Sequence, residues 1–404
     1  MQSKTVIKRL SELPTMPCTI DTMAWNQTGD WRYLTPLVEN KPAPCRSNCP
    51  AGIPIPDYLS AVNRGNLQEG LALLLSHNPL PGLTGRLCYH PCQTKCRRKS
   101  IDGTISIQDI ERFMAGLATE IRNRQDRQSD ERVAIIGSGP LGLSCAFYLG
   151  CLGFQVTVLD ARSRAGGALA DLPSKKVEAQ VLEDEIRRVV HVADIHLETS
   201  ASFDLSKPRE MLSKADLVIL DPTGLMEETG IPAGAVSLNP FVDEEICGDI
   251  IAVTLSGNLK PFKAPMIAHY IAAGRLTAEK AFAYLVRRSD KEGRKIHRPD
   301  PSRLAAKVDD ILMGHFSTSG LAADVKSGQE GTWDHDRALR ETGRCLSCGT
   351  CNLCLQCVLS CPDASIRLNS DKNAVEVDLY HCKGCGVCAY ECPRGVITME
   401  EINA

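Results

Sequence analysis

Long apolar runs are missing from this chain. The longest, around Ala146 to Leu159, is interrupted by glycines and polar residues, so none reaches the ~20 apolar residues a membrane-spanning helix needs. The opening residues, MQSKTVIKRLSELP, lack the continuous apolar core of a secretory signal. The formal charge is only −3 over 404 residues, which supplies no general pull toward nucleic acid or anionic lipid. Signs of independent substrate chemistry are also missing: there is no nucleophile elbow, no motif of paired carboxylates and no histidine-rich metal site. The expectation is a soluble cytoplasmic protein, or a soluble subunit of a larger assembly, with room for about two to four domains.

Cysteine is what the chain has in quantity, nineteen in all, ten of them between Arg344 and Pro393. A disulfide framework belongs to short secreted chains; this chain is long and its cysteines fall at metal-site steps, which suits a reducing compartment. Two runs of the form C-x2-C-x2-C-x3-C-P stand out: Cys351, Cys354, Cys357 and Cys361 before Pro362, then Cys382, Cys385, Cys388 and Cys392 before Pro393. Zinc usually takes four ligands in two pairs rather than two matched quartets. The spacing predicts two [4Fe–4S] clusters, each run giving three thiolates to one cluster and its last cysteine to the other. The expected sets are Cys351, Cys354, Cys357 and Cys392, and Cys361, Cys382, Cys385 and Cys388. The strand-like runs SIRLN and AVEVDLYHC flank these loops, and VITME is expected to close their sheet. Cys345 and Cys348 are left over.

Nearer the start, Cys45, Cys49, Cys88, Cys92 and Cys96 sit on proline- and glycine-rich turns around short helices expected at Asp57 to Arg64, Leu67 to Ser76 and Ile107 to Arg122. Five cysteines are too many for one cube and too few for two. His90 and His381 lie beside cysteines and read as hydrogen-bonding neighbours rather than ligands. After a charged linker, Arg132 to Ala161 reads strand, glycine turn, helix, strand. Gly137, Gly139 and Gly142 form G-x-G-x-x-G, and Asp160 ends the second strand, placed to accept from a ribose hydroxyl. The pyrophosphate belongs at the helix N-terminus. No second such fingerprint exists in the chain.

The residues CRSNCPAGIPIPDYL, NPLPGLTGRLCYHPCQTKCRR and ISIQDIERF resemble the N-terminal iron–sulfur domain of the glutamate synthase small subunit and of dihydropyrimidine dehydrogenase. That family carries two [4Fe–4S] clusters in a helical domain, with an R-C-x-x-C-G segment upstream. Nothing upstream of Cys45 supplies it here, but Arg344 to Gly349 reads RCLSCG. The resemblance implies that the C-terminal segment folds back, giving Cys345 and Cys348 to a cluster shared with Cys45 and Cys96. A companion cluster would take Cys49, Cys88 and Cys92, with Glu111 as a non-cysteinyl fourth ligand. Gly166 and Gly167 in RSRAGGALA match the family's FAD element. Gly257 and Asn258 stand where it has Gly-Asp beside the flavin. Only about two dozen residues occupy the place of its inserted NAD(P)H domain, so the resemblance implies FAD without a pyridine-nucleotide site. A Rossmann unit that binds NAD directly, or one that binds no nucleotide, stays open.

HCKGCGVCAYECPRGVITME is similar to the ferredoxin-like delta subunit of 2-oxoacid:ferredoxin oxidoreductases, and TGDWRYLTP weakly so. Together these imply a multidomain α/β and α+β protein: a helical N-terminal iron–sulfur domain (1–125), a Rossmann-like FAD domain lacking the NAD(P)H insertion (126–290), a linker (291–340) and a bacterial-type 2[4Fe–4S] ferredoxin domain (341–404). The implied function is an electron-transfer subunit of a hetero-oligomer, with four [4Fe–4S] clusters and FAD. It would work between a catalytic subunit and a ferredoxin or similar carrier. A 2-oxoacid oxidoreductase is the first choice of partner; a tungsten aldehyde oxidoreductase or an aryl-CoA reductase is also open. The alternative is a self-contained ferredoxin:NAD(P) oxidoreductase.

Overall fold

The computed structural model describes residues 27–117, 129–172, 176–202, 215–221, 250–252, 267–291 and 333–402. The chain divides into two compact units: Pro42–Ser347, and Met1–Lys41 together with Cys348–Ala404.

In the larger unit the cysteine loops hang on short helices. Ile55–Asn63 and Leu67–Leu75 are joined by a turn in which the Asn66 side chain accepts from the Glu69 N–H at 3.1 Å and donates to the Glu69 carboxylate at 3.0 Å. This reciprocal cap satisfies an otherwise orphaned donor at the helix start. Tyr58, Leu59, Leu71, Leu74 and Leu75 are fully buried between these helices and Ile107–Leu117. Each such leucine contributes about 2 kcal/mol of burial. The expected third helix is observed to Leu117; its last residues lie outside the described part.

The Rossmann-like part has five parallel strands in the order His196–Thr199, Gln155–Asp160, Arg132–Ile136, Leu217–Leu220, Ile250–Ala252. The order reverses beside Arg132–Ile136, and that switch point is where such sheets open a ligand crevice. The helix Pro140–Cys151 is buried along its whole length, against the helix Ile267–Lys291. Its apolar residues therefore go all the way round rather than forming one stripe.

The larger unit also contains residues close to the ferredoxin cysteines in sequence. Part of the stretch read as linker is a helix, His335–Gly343. Asp334 caps it by accepting from the Arg337 N–H at 2.7 Å, and it packs on Ile55–Asn63 through Ala338 and Thr342. Glu341 accepts from the Ser106 N–H at 2.8 Å, while Arg344 donates to the Gly103 carbonyl at 2.9 Å and pairs with Asp102 at 3.2 Å. The segment ahead of Cys345 is thus fastened to the N-terminal helices.

In the smaller unit Ile366–Leu368 and Val375–Val377 form one antiparallel pair, as SIRLN and AVEVDLYHC suggested. The VITME strand does not close that sheet. Ile397–Glu401 pairs instead with Leu34–Val38, Val38 opposite Ile397 and Leu34 opposite Glu401. The early strand supplies the partner because it returns to the ferredoxin from over 300 residues away, which no local pattern announces.

Candidate iron–sulfur sites and dinucleotide crevice

The cysteines of the smaller unit gather in crossed sets. A largely apolar cavity is lined by Cys351, Cys354, Cys357 and Cys392, that is, three sulfurs from the first run and the last of the second. Burial raises the Cys357 thiol, and Cys392, Cys354 and Cys351 push it further. The Cys388 thiol is pushed up to about 11 by burial, with Cys382, Cys385 and Cys361 beside it. These are the two sets the spacing predicts. Several sulfurs also accept backbone N–H groups: Cys382 from Gly384 and Cys392 from Val396, each at 3.4 Å. Such bonds stabilise thiolate charge and tune a cluster's potential.

The HCKGC loop is held by the TGDWR segment, whose resemblance to the ferredoxin-like delta subunits did not announce this contact. In TGDWR, Thr28 donates to the His381 carbonyl at 2.7 Å, the Gly29 N–H to the Tyr380 carbonyl at 2.8 Å, and Arg32 to the Leu379 carbonyl at 2.6 Å. A Cβ on Gly29 would stand 2.2 Å from the Leu379 oxygen, so only glycine permits the approach. His381 contributes a hydrogen bond to Asp378 at 2.8 Å, in keeping with its reading as a neighbour.

In the larger unit Glu111 is buried on the helix Ile107–Leu117, within electrostatic reach of Cys49, Cys88 and Cys92. Burial raises all three thiols, Cys88 to about 12, and the Glu111 carboxylate pushes each of them further. Glu111 accepts from the Thr84 hydroxyl at 2.9 Å and lies 3.7 Å from Nε2 of His90. The His90 Nδ1 is 2.7 Å from the Cys88 carbonyl, again a neighbour's position. Cys45, Cys96 and Cys345 pack against the same core as Cys49 and Cys88.

One turn recurs. The residue two after Cys88 is His90, with φ 48°; two after Cys345 is Ser347, with φ 48°; two after Cys382 is Gly384, with φ 69°. In all three the N–H of that left-handed residue donates to the cysteine sulfur at 3.4 Å. Left-handed backbone is uncommon outside glycine. Its repetition gives Cys345 the local geometry of a ferredoxin cysteine. Cys348, three residues on, opens the smaller unit. Among the described residues no three His, Cys, Asp or Glu side chains converge on a single metal ion, as a mononuclear zinc would require. A cube takes its thiolates at separate corners, and the crossed, largely apolar pocket suits that.

At the switch point Gly137 has φ 106°, and a Cβ on Gly142 would lie 2.2 Å from the Gly137 oxygen. Strand and helix therefore pack as the glycine fingerprint demands. Asp160 accepts from the Ser138 N–H at 3.0 Å and from its hydroxyl, which in turn accepts from the Gly166 N–H at 2.8 Å. Gly167 lies against Gly139. The predicted residues of the adenine half are thus gathered into one cradle, and its backbone fits a dinucleotide. Unforeseen is Asp221, fully buried at the end of Leu217–Leu220, whose carboxylate accepts from the Gly142 N–H at 2.9 Å. One donor of the helix start is satisfied internally rather than by a phosphate. Gly257 and Asn258 lie outside the described residues.

Three stretches of the chain match known families. Residues 38–123 match the family model described as dihydropyrimidine dehydrogenase domain II, 4Fe-4S cluster. Residues 135–192 match an NAD(P)-binding Rossmann-like domain, and 375–398 a 4Fe-4S binding domain. The NADPH-Fe(3+) oxidoreductase subunit beta of Geobacter sulfurreducens is 33% identical over 46% of this chain and 29% of its own length. The NADP(+)-dependent formate dehydrogenase subunit beta of Moorella thermoacetica is 28% identical over 71% of this chain and 45% of its own. The glutamate synthase [NADPH] small chain of Bacillus subtilis is 35% identical over 43% and 36%. The chain spans less than half the length of these relatives. It joins a 4Fe–4S domain of the dihydropyrimidine dehydrogenase and glutamate synthase small subunit type to a Rossmann-like domain and a C-terminal 4Fe–4S ferredoxin motif.

Proposed function

We propose that this chain is an electron-transfer subunit of a multisubunit oxidoreductase. The observation that carries the proposal is the grouping of ligand-type side chains: two crossed cysteine sets in one unit, and Cys49, Cys88 and Cys92 within electrostatic reach of Glu111 in the other. Cys45, Cys96 and Cys345, packed on the core of the larger unit, would supply thiolates for a fourth cluster. Burial and N–H···S bonds are the means by which these residues set the order of potentials.

The crevice around Gly137, Gly139, Gly142, Asp160, Gly166 and Gly167 would hold FAD, with Gly257 and Asn258 toward the flavin. FAD, when bound, exchanges two-electron for one-electron chemistry. Leu217–Leu220 and Ile250–Ala252 are adjacent parallel strands, so the 222–249 connection is far shorter than the 50 or so residues of even a small domain. That argues against a built-in NAD(P)H domain and for a separate catalytic subunit, with a 2-oxoacid oxidoreductase type first and tungsten aldehyde oxidoreductase or aryl-CoA reductase types after it. A reducing cytoplasm suits the thiolates this needs.

The second reading, a self-contained oxidoreductase using NAD(P)H, draws on the match of 135–192 to an NAD(P)-binding domain and on the names of the relatives. Anaerobic addition of NADPH and NADH to the isolated chain separates the two. The electron-transfer reading expects no rapid bleaching without a partner; rapid bleaching carries the second reading instead. Anaerobic co-purification then identifies the catalytic subunit.

A further inference from the structure

A cavity of about 150 Å3 in the larger unit belongs neither to the cysteine sites nor to the glycine turn. Its walls are the helices Pro81–Leu87, Ile107–Leu117 and Ala179–Val192, and its charged lining is Arg86, Arg112, Arg187 and Arg188 against Asp184 and Glu185. Four guanidiniums thus meet two carboxylates in the lining, and Asp109, 3.4 Å from Arg112, is a third just outside it, which leaves an excess of one positive charge.

Both lining carboxylates are already engaged. Asp184 pairs with Arg187 at 2.7 Å; Glu185 pairs with Arg188 at 2.6 Å and accepts from the Gly82 N–H at 3.0 Å. Arg86 donates to the Gly82 carbonyl at 2.9 Å and Arg112 to the Gly85 carbonyl, which anchors both heads on the same turn of chain. The Arg188 side chain is 6% exposed; one terminal nitrogen donates to the Pro79 carbonyl at 3.1 Å. Its buried Nε has no hydrogen-bond partner among the described residues. Arginine stays charged in proteins, so a buried guanidinium N–H without an acceptor is costly and cannot be relieved by deprotonation.

We infer that this cavity is a binding site for a small tetrahedral oxyanion of the phosphate type. Guanidinium forks match such an ion in charge and in geometry. The cavity falls well below the roughly 300 Å3 at which pockets begin to take drug-sized ligands, which excludes a nucleotide. An anion here lies among Arg86, Arg112, Arg187 and Arg188 and offsets their charge.

The test uses the full chain, purified anaerobically in chloride buffer with its clusters in place. Inorganic phosphate, sulfate and succinate are titrated at constant ionic strength, followed by calorimetry and by thermal unfolding. Saturable binding of phosphate and sulfate is expected, with a rise in Tm that follows the binding curve. Arg86→Gln and Arg187→Gln should each weaken binding about tenfold, the effect of losing one charge-assisted hydrogen bond, with iron content and visible spectrum unchanged. Absence of saturation, wild-type affinity in both variants, or a preference for succinate over both tetrahedral ions would each overturn the assignment.

Discussion

The two iron–sulfur regions assemble their ligand-type residues by opposite routes. In the smaller unit every expected ligand comes from two short runs, and the crossing of Cys392 and Cys361 is written into the C-x2-C-x2-C-x3-C-P repeat. In the larger unit the ligand-type residues come from two stretches, 45–49 and 88–96, a buried carboxylate on Ile107–Leu117 and a cysteine more than 240 residues downstream of Cys96. The first site depends on local spacing, the second on the docking of distant segments. Damage to a scaffold should therefore spread differently in the two regions.

The largest expected effects are losses of whole clusters. Cys351→Ala and Cys392→Ala should abolish the same paramagnetic signal, and Cys361→Ala and Cys388→Ala the other, as anaerobic electron paramagnetic resonance can show. Loss of one signal by Cys388→Ala and Cys392→Ala together would break the crossed assignment. Cys345→Ala should remove about four iron atoms, one cube, and leave both ferredoxin signals intact.

The next effect depends on pH and belongs to the larger unit. Burial, with Arg275 and Arg46 nearby, pushes the His77 imidazole down to about 4. A group whose folded pKa lies below its unfolded value near 6.5 takes up its proton more readily on unfolding. Its contribution is fully present above pH 6.5 and is lost as pH falls toward 4. The stability difference between wild type and His77→Gln should therefore shrink by about 3 kcal/mol between pH 7 and pH 4. Denaturant titrations of both proteins across that range check it; a pH-independent difference would show that His77 is not held neutral.

The smallest expected effect concerns the downstream segment. Glu341→Ala removes the acceptor for the Ser106 N–H and the partner of Arg344. A cost of about 1–3 kcal/mol is expected, with hydrogen exchange of Ser106 and the following turn accelerated and that of the smaller unit unchanged.

What the sequence revealed follows the same division. The crossed cysteine sets were legible because their ligands repeat at fixed local steps. The Rossmann cradle was legible because Gly142 has no alternative beside the Gly137 oxygen. That Cys345 packs on the core of the larger unit was suggested only by text missing upstream of Cys45 and found elsewhere. The clamp of Thr28, Gly29 and Arg32 was not legible, since it binds backbone carbonyls, which carry no side-chain code. The strand partner of Ile397–Glu401 was missed for the same reason. The role of Asp221 at the Gly142 N–H emerges only when Leu217–Leu220 lies beside Arg132–Ile136.

The central claim is that both regions carry two cubes each. Iron and acid-labile sulfide analysis of anaerobically purified full chain tests it most directly. The account predicts about sixteen iron atoms per chain, four for each of four cubes. About eight, with the signals of the smaller unit alone, would contradict it.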